Sequence, residues 1–391
     1  MLGKNYSPKI CFAVLLLFLV FSCAIAAAAT DKTNTMCSAF EAQKKLPNSP
    51  KWAYACGWGA GSGTIEDPIR IGNCNFLQKI NDNLSAHYMI VRDIDCTGIA
   101  FNPIGQFTGS VDGQSHSITG ININLPETSH VGLFSETVSG AQISNISLFE
   151  TSIVGNQYVG GLVAFNRGTI TNCGVSGIVS GNGRSVGGLV GRNENGTITD
   201  CSAAGTVSGG NYTGGLIGDS LYGSITKCSF SGSVDGTRAP FGSIGGLVGW
   251  NYGLVEKSYS SGTVAGTDQV GGLFGYGLGV GLKGKNAIDC YSLSSVSGKN
   301  YVGGLIGMAD GNTVNSYSSG YVTGTQYVGG LIGSGYSSCS GSYWDLGTSG
   351  QSTSRCGIGL TTAQMKDRNN FSGWDFISIW DGGLGNYPFL R

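Results

Sequence analysis

Gly183-Arg184-Ser185-Val186-Gly187 matches the Gly-x-Ser-x-Gly turn that lifts a nucleophilic serine above a hydrolase sheet. Such a serine needs a histidine base further along the chain. The three histidines, His87, His116 and His130, all precede it. The match therefore reads as a backbone corner. Residues Gly279 to Asn286 come close to a phosphate-cradling P-loop, but Asn286 stands where that loop requires Ser or Thr. No helix is expected to follow, so this stretch reads as an inserted Gly-rich loop. A His-Glu-x-x-His zinc site is absent. Asp93 and Asp95 alternate on one expected strand. They could bind calcium, or serve a turn or cap. A polysaccharide-cleaving enzyme needs carboxylates gathered on one face. The column Asn172, Asp200, Lys227, Lys257, Asp289 and Asn315 mixes signs and reads as a solvated face. No cofactor is called for.

Binding surfaces are better represented than catalytic groups. Tyr158, Tyr212, Tyr301 and Tyr327 each precede a Gly-Gly-Leu unit and are expected to point outward, where aromatic rings can stack on sugars. Ser185, Ser243 and Gln269 interrupt that column. Thr171, Thr199 and Thr226 form a short outward threonine ladder. Two long units insert residues Asp235 to Ser243 and Gly275 to Asn286. The first offers Arg238, Pro240 and Phe241, and the second Tyr276, Lys283 and Lys285. Loops on a rigid scaffold commonly carry recognition, and arginine and aromatics are favoured there.

These residues must be positioned by a repeat. Val159-Gly160-Gly161-Leu162 returns with leucines at 189, 216, 247, 273, 305 and 331, after a degenerate copy ending at Leu133. The leucine spacings are 29, 27, 27, 31, 26, 32 and 26. Each later unit adds Cys/Ser-x-x-x-Gly/Ser-x-Val-x-Gly, with Cys or Ser at 173, 201, 228, 258, 290 and 316 and Val six residues on. A unit of this length cannot bury a core alone, so neighbours must stack. The chain holds 68 Gly in 391 residues, which disfavours helix. Gly does not recur every third residue and Pro numbers only 8, which excludes collagen. Short runs such as Gly-Thr-Ile-Thr and Gly-Thr-Val-Ser are strand-length. The expected fold is all-β: a parallel β-helix, or β-solenoid, of about eight or more turns with N- and C-terminal caps. Like residues should stack on like, with the valines and the Cys/Ser positions inside.

Composition narrows the partners. A net charge of −1 gives no footprint for nucleic acid. Lys4 and Lys9, the apolar run from Ile10 to Val20 and the alanines up to Ala29 have the order of a secretory signal peptide. Val20-Phe21-Ser22-Cys23 allows a lipoprotein box as a rival, though Phe21 fits it badly. No transmembrane span is expected in the mature chain. Export permits disulfides. Cys37/Cys56, Cys74/Cys96 and Cys339/Cys356 are plausible neighbours, while Cys173, Cys201, Cys228 and Cys290 belong to the repeat and are expected to be mostly free thiols. The expected organisation is a signal over 1–29, an N-terminal segment and cap over 30–124, the solenoid over 125–345 and a C-terminal cap over 346–391.

The Val-Gly-Gly-Leu-Val/Ile-Gly units, followed by Cys/Ser-x-x-x-Gly-x-Val-x-Gly, resemble the GLUG-motif repeats of bacterial surface proteins. The lead-in Gly61 to Pro68, the turn Phe107 to Ile118 and the exit Ser342-Tyr343-Trp344-Asp345 also resemble that architecture, as do Gly359 to Met365 and Tyr387 to Leu390. The resemblance covers about residues 57–391. Such repeats occur in adhesin-like proteins and beside the peptidase domains of some immunoglobulin-A peptidases. The resemblance implies an exported bacterial scaffold, in the periplasm, at the cell surface or secreted, and implies no activity. The expected function is non-enzymatic binding of a glycan or a host or cell-envelope protein. A carbohydrate-active enzyme and a purely structural envelope component are the alternatives.

Overall fold

The computed structural model describes residues 59–279 and 284–391. One coil, residues 182–208, shows the plan. Val186–Gly187 joins a 7-stranded sheet, Val190–Glu194 and Thr197–Thr199 join an 18-stranded sheet, and Ser202–Ser208 joins a 14-stranded sheet. The chain then passes to the next coil, where Thr213, Ile217, Ser224 and Ser229 take the partner positions. All ladders of these three sheets are parallel, and about nine turns stack.

Like stacks on like inside. Val179, Val207, Val234, Val264, Val296 and Val322 are successive Cα partners, and each is at most 2% exposed. Cys173, Cys201, Cys228, Ser258, Cys290 and Ser316 are all buried. The four cysteines among them are free thiols, as expected. Their Sγ atoms turn to carbonyl oxygens, for example Cys201 to Thr199 O at 3.1 Å. Native protein should leave these four unlabelled by a thiol alkylator and expose all of them on unfolding, read by peptide mass spectrometry. Labelling of Cys201 in the folded state would contradict its burial.

A second internal column is polar. Thr137, Asn166, Asn193, Ser220 and Asn251 are at most 1% exposed. Thr137 donates to Asn166 Oδ1 at 2.6 Å, and Asn166 Nδ2 donates to Asn193 Oδ1 at 2.7 Å. Asn193 Nδ2 also reaches the Gly196 carbonyl at 3.1 Å. Asn166 and Asn193 thus tie their own corners and the next coil, which offsets the cost of burying them, whereas Asn251 ties only its own corner through Gly253 O at 3.0 Å.

The ends differ from the sequence reading in two respects. The parallel ladder starts upstream of residue 125: Ile69–Ile71 pairs with His87–Ile90, which pairs with Ser110–Asp112. Their turns vary in length, which hides the period. Cys74–Gln78 is a short helix; Asn73 caps it, and the Cys74–Cys96 disulfide ties it down. Cys37, Cys56, the signal segment and Lys283 lie outside the described residues. At the other end the Cys339–Cys356 disulfide holds residues 351–357. Thr353 O and Ser354 Oγ accept the N–H groups of Gly330, Leu331 and Ile332, closing the last coil. The final aromatics do something else. Tyr291, Tyr317 and Tyr343 form an outward column of the 14-stranded sheet, and Trp374 and Trp380 bury it from the side. Thr362–Met365, opened by a Thr361–Gln364 capping box, anchors Met365 in the same cluster.

Candidate functional site

The Gly-Gly-Leu leucines point inward, and three residues later the side chain faces out. That position carries Glu136, Phe165, Arg192, Asp219, Trp250, Tyr276 and Met308 on successive coils. A parallel column stands two residues ahead of the first Gly of each unit: His130, Tyr158, Ser185, Tyr212, Ser243, Gln269, Tyr301 and Tyr327, all but Ser243 with positive φ. That backbone leans the side chain over the neighbouring column. The two columns meet edge to edge and form one strip along the solenoid.

At one end Phe165 lies 5.8 Å from Tyr158 and 5.8 Å from His130, centroid to centroid. Arg167 sits 4.2 Å over Phe165, pairs with Glu136, and reaches Glu194 at 3.3 Å. Arg184 donates to the Tyr158 hydroxyl. Further along, Trp250 lies 5.8 Å from Tyr212, 6.3 Å from Tyr252 and 6.3 Å from Tyr276. Tyr276 donates to Asp310 Oδ2 at 2.8 Å, which fixes its ring.

Between these aromatic groups lie Ser185, Arg192 and Asp219. Arg192 Nη1 stands 3.5 Å from Asp219 Oδ2. Asp219 is 2% exposed, and burial pushes its carboxyl up to about 6, with Arg192 pulling the other way. Asp219 Oδ1, Ser185 Oγ and Arg192 Nε are buried without a hydrogen-bond partner in the protein. A carboxyl whose folded pKa is raised adds stability below its unfolded value of about 4, and that contribution is lost as pH rises through about 6. Above that pH the buried charge costs about 2–3 kcal/mol. Asp219→Asn should therefore raise stability by about 2 kcal/mol at pH 7.5 and leave it nearly unchanged at pH 3.5, read by urea unfolding. A loss of stability at pH 7.5 would contradict this account.

The structure places the sequence-singled residues unevenly. Tyr158, Tyr212 and Tyr301 are half-buried in the strip, and Tyr327 is exposed. Ser185 is buried beside Asp219, and His130, the histidine in the strip, packs on Tyr158 and Phe165 with no hydrogen bond to Ser185 among the described residues. Arg238, Pro240 and Phe241 are exposed on their loop, with Phe241 80% exposed. The second insertion is shorter than expected. Phe274–Leu278 and Lys285–Ile288 are ladder strands, so Tyr276 belongs to the strip and Lys285 opens a strand. The polar contacts of Tyr276 with the next coil hold it there. Asp93 accepts from Ser117 N of the next coil at 2.8 Å, a coil-to-coil tie. Among the described residues no metal-holding cluster forms. Phe165, Arg192, Asp219 and Trp250 were not singled out from the sequence. Their constant offset from the leucines was the available signal.

The GLUG motif family matches residues 155–180, 182–208, 209–235 and 242–265, which are four successive coils. The chain is 34% identical over 153 residues to halomucin of Haloquadratum walsbyi, covering 34% of this chain and 2% of that protein. An Evansella cellulosilytica protein described as a Gly-rich membrane protein is 34% identical over 133 residues, 30% of this chain and 15% of the relative. The immunoglobulin A1 protease of Streptococcus sanguinis is 32% identical over 133 residues, 31% of this chain and 7% of the relative. The chain thus spans a small part of each curated relative. A 1.30 Å crystal structure of a Bacteroides ovatus protein, described as an immunoglobulin A1 protease, superposes with a TM-score of 0.53 at 19% identity. It covers 85% of this chain and 95% of that one, a likeness of fold. Motif, coil period and parallel ladders agree, and the chain is a β-solenoid that carries GLUG repeats on four successive coils.

Proposed function

We propose that this solenoid is an exported, non-enzymatic surface-binding protein of adhesin type, and that the aromatic–arginine strip is its recognition face. The observation that carries the reading is the strip itself: Tyr158, Phe165, Arg192, Tyr212, Trp250 and Tyr276 on consecutive coils of a rigid ladder. Arginine and aromatic side chains dominate binding energy at interfaces because they cover large areas with few rotatable bonds. Relatives bearing the names halomucin and Gly-rich membrane protein support a surface setting. Among the described residues no helix is long and apolar enough to cross a membrane.

The test is a glycan and envelope-protein array probed with the mature chain. Trp250→Ala should weaken the strongest interaction at least tenfold, the loss expected of an aromatic hot spot. Undiminished binding by folded Trp250→Ala and Phe165→Ala proteins would remove the strip from recognition. A carbohydrate-cleaving reading is favoured by one group, Asp219, a carboxyl whose pKa burial raises to about 6. Polysaccharide turnover abolished by Asp219→Asn would replace the binding reading with an enzymatic one.

A further inference from the structure

At the corner between the 18- and 14-stranded sheets, the residue before each Cys/Ser, and Asn145 before Ile146 one coil upstream, adopts positive φ: Asn145, Asn172, Asp200, Lys227, Lys257, Asp289 and Asn315. Five of the seven are Asn or Asp, the side chains that tolerate this left-handed backbone. The two exceptions are Lys227 (φ 54°) and Lys257 (φ 47°), on adjacent coils. A lysine there stores strain that an asparagine would not, and such outliers concentrate at functional positions.

Both exceptions line one crevice, of about 360 Å³. Its coil wall is Asp200, Lys227, Ser229, Lys257 and Tyr259, and its other wall includes Ile379 and Leu390 of the C-terminal segment. Further along the same column the segment closes down, and Trp380 Nε1 lies 3.4 Å from Asp289 Oδ1. The crevice is therefore the open part of a column that is otherwise covered. Among the described residues neither lysine has an ion-pair partner, and one strand spacing of about 4.8 Å separates their coils. Arg391, also in the wall, has its guanidinium taken by Asp381 at 3.3 Å and the Trp380 carbonyl at 3.0 Å. Asp200 is the carboxylate in the lining set against the two ammonium groups. Tyr259 is fixed by stacking on Tyr291 at 4.8 Å and 1°.

We propose that this crevice binds an acidic saccharide, with Lys227 and Lys257 holding the sugar carboxylate and Tyr259 receiving the ring. An inorganic anion would use the lysines and leave the apolar wall of Tyr259, Ile379 and Leu390 without a role. The volume lies in the range of small-ligand sites, which combine an apolar wall with a few converging polar groups. The inference stands apart from the strip, since it uses other residues at another corner of the coil.

Trigalacturonic acid, its neutral methyl ester and inorganic sulfate are the probes, measured by calorimetry on the full chain. The acid should bind at least tenfold more tightly than the ester and weaken with added salt. The double variant Lys227→Asn, Lys257→Asn restores the residue type of the other coils, so its melting temperature should hold or rise while trigalacturonate affinity falls at least tenfold. Trp250→Ala should leave this binding unchanged, which separates failure of the crevice from failure of the strip. Equal binding of acid and ester, equal affinity for sulfate and trigalacturonate, or undiminished binding by the folded double variant would overturn the proposal.

Discussion

Val234→Asp should unfold the middle of the solenoid, whereas Thr226→Asp on the same coil should be tolerated. Val234 is 1% exposed and sits between Val207 and Val264 in the valine stack. Substitution removes about 1.5–3 kcal/mol of apolar burial. It also places a carboxylate where no partner exists, at a cost of several kcal/mol more. The sum, on the order of 5 kcal/mol, belongs to the exceptional tail of single substitutions. Thr226 is half-buried and outward, with Thr199 and Glu256 as ladder neighbours. An aspartate there meets one like charge, costing up to about 1 kcal/mol. Each coil contacts only its neighbours, so damage at Val234 should expose the coils on both sides to hydrogen exchange. Acidification that neutralises the new carboxyl should recover part of the loss. Equal melting temperatures for the two variants would reject the inward and outward assignment.

The coil was legible because stacking writes itself into sequence at a fixed period. Leu189 and Leu216 are both inward for the same geometric reason, and one alignment of the units reveals both. The same alignment holds the asparagine ladder: Asn166, Asn193 and Asn251 each lie four residues after a unit leucine. The strip lies three residues after it. Neither stood out, because Phe165, Arg192, Asp219 and Trp250 share a position and no chemistry. Only the fold shows that unlike residues at one offset become neighbours, Arg192 lying 5.4 Å from the Phe165 ring and Trp250 6.3 Å from that of Tyr276. The upstream coils were hidden for the opposite reason. Ile71 stacks on Ile90 and Tyr88 on Val111, all buried like the later core, but their turns differ in length, so no period marks them. The crevice needs Lys257 and Ile379, more than a hundred residues apart, to line one cavity, and no local pattern encodes such a meeting.

Gly232→Ala should be among the most damaging single methyl groups that can be added to the chain. Gly177, Gly205, Gly232 and Gly262 stack in register in the middle of the 14-stranded sheet, all at positive φ. A Cβ on Gly232 would stand 2.0 Å from the carbonyl oxygen of Gly205 on the coil beneath. That oxygen is backbone and cannot rotate away, so the two coils would have to part. Parting them breaks the ladder on both sides of residue 232 and opens the valine stack two residues on. Gly140→Ala is the control. It also has positive φ (93°), but nothing lies within 4 Å of its Cβ. It should cost only backbone strain, about 1–2 kcal/mol. Gly232→Ala carries similar strain plus the clash, and the expected loss is at least about 3 kcal/mol larger than the control. Urea unfolding of the two variants measures the difference directly. If both lose the same stability, positive φ rather than coil-to-coil contact is what the column requires.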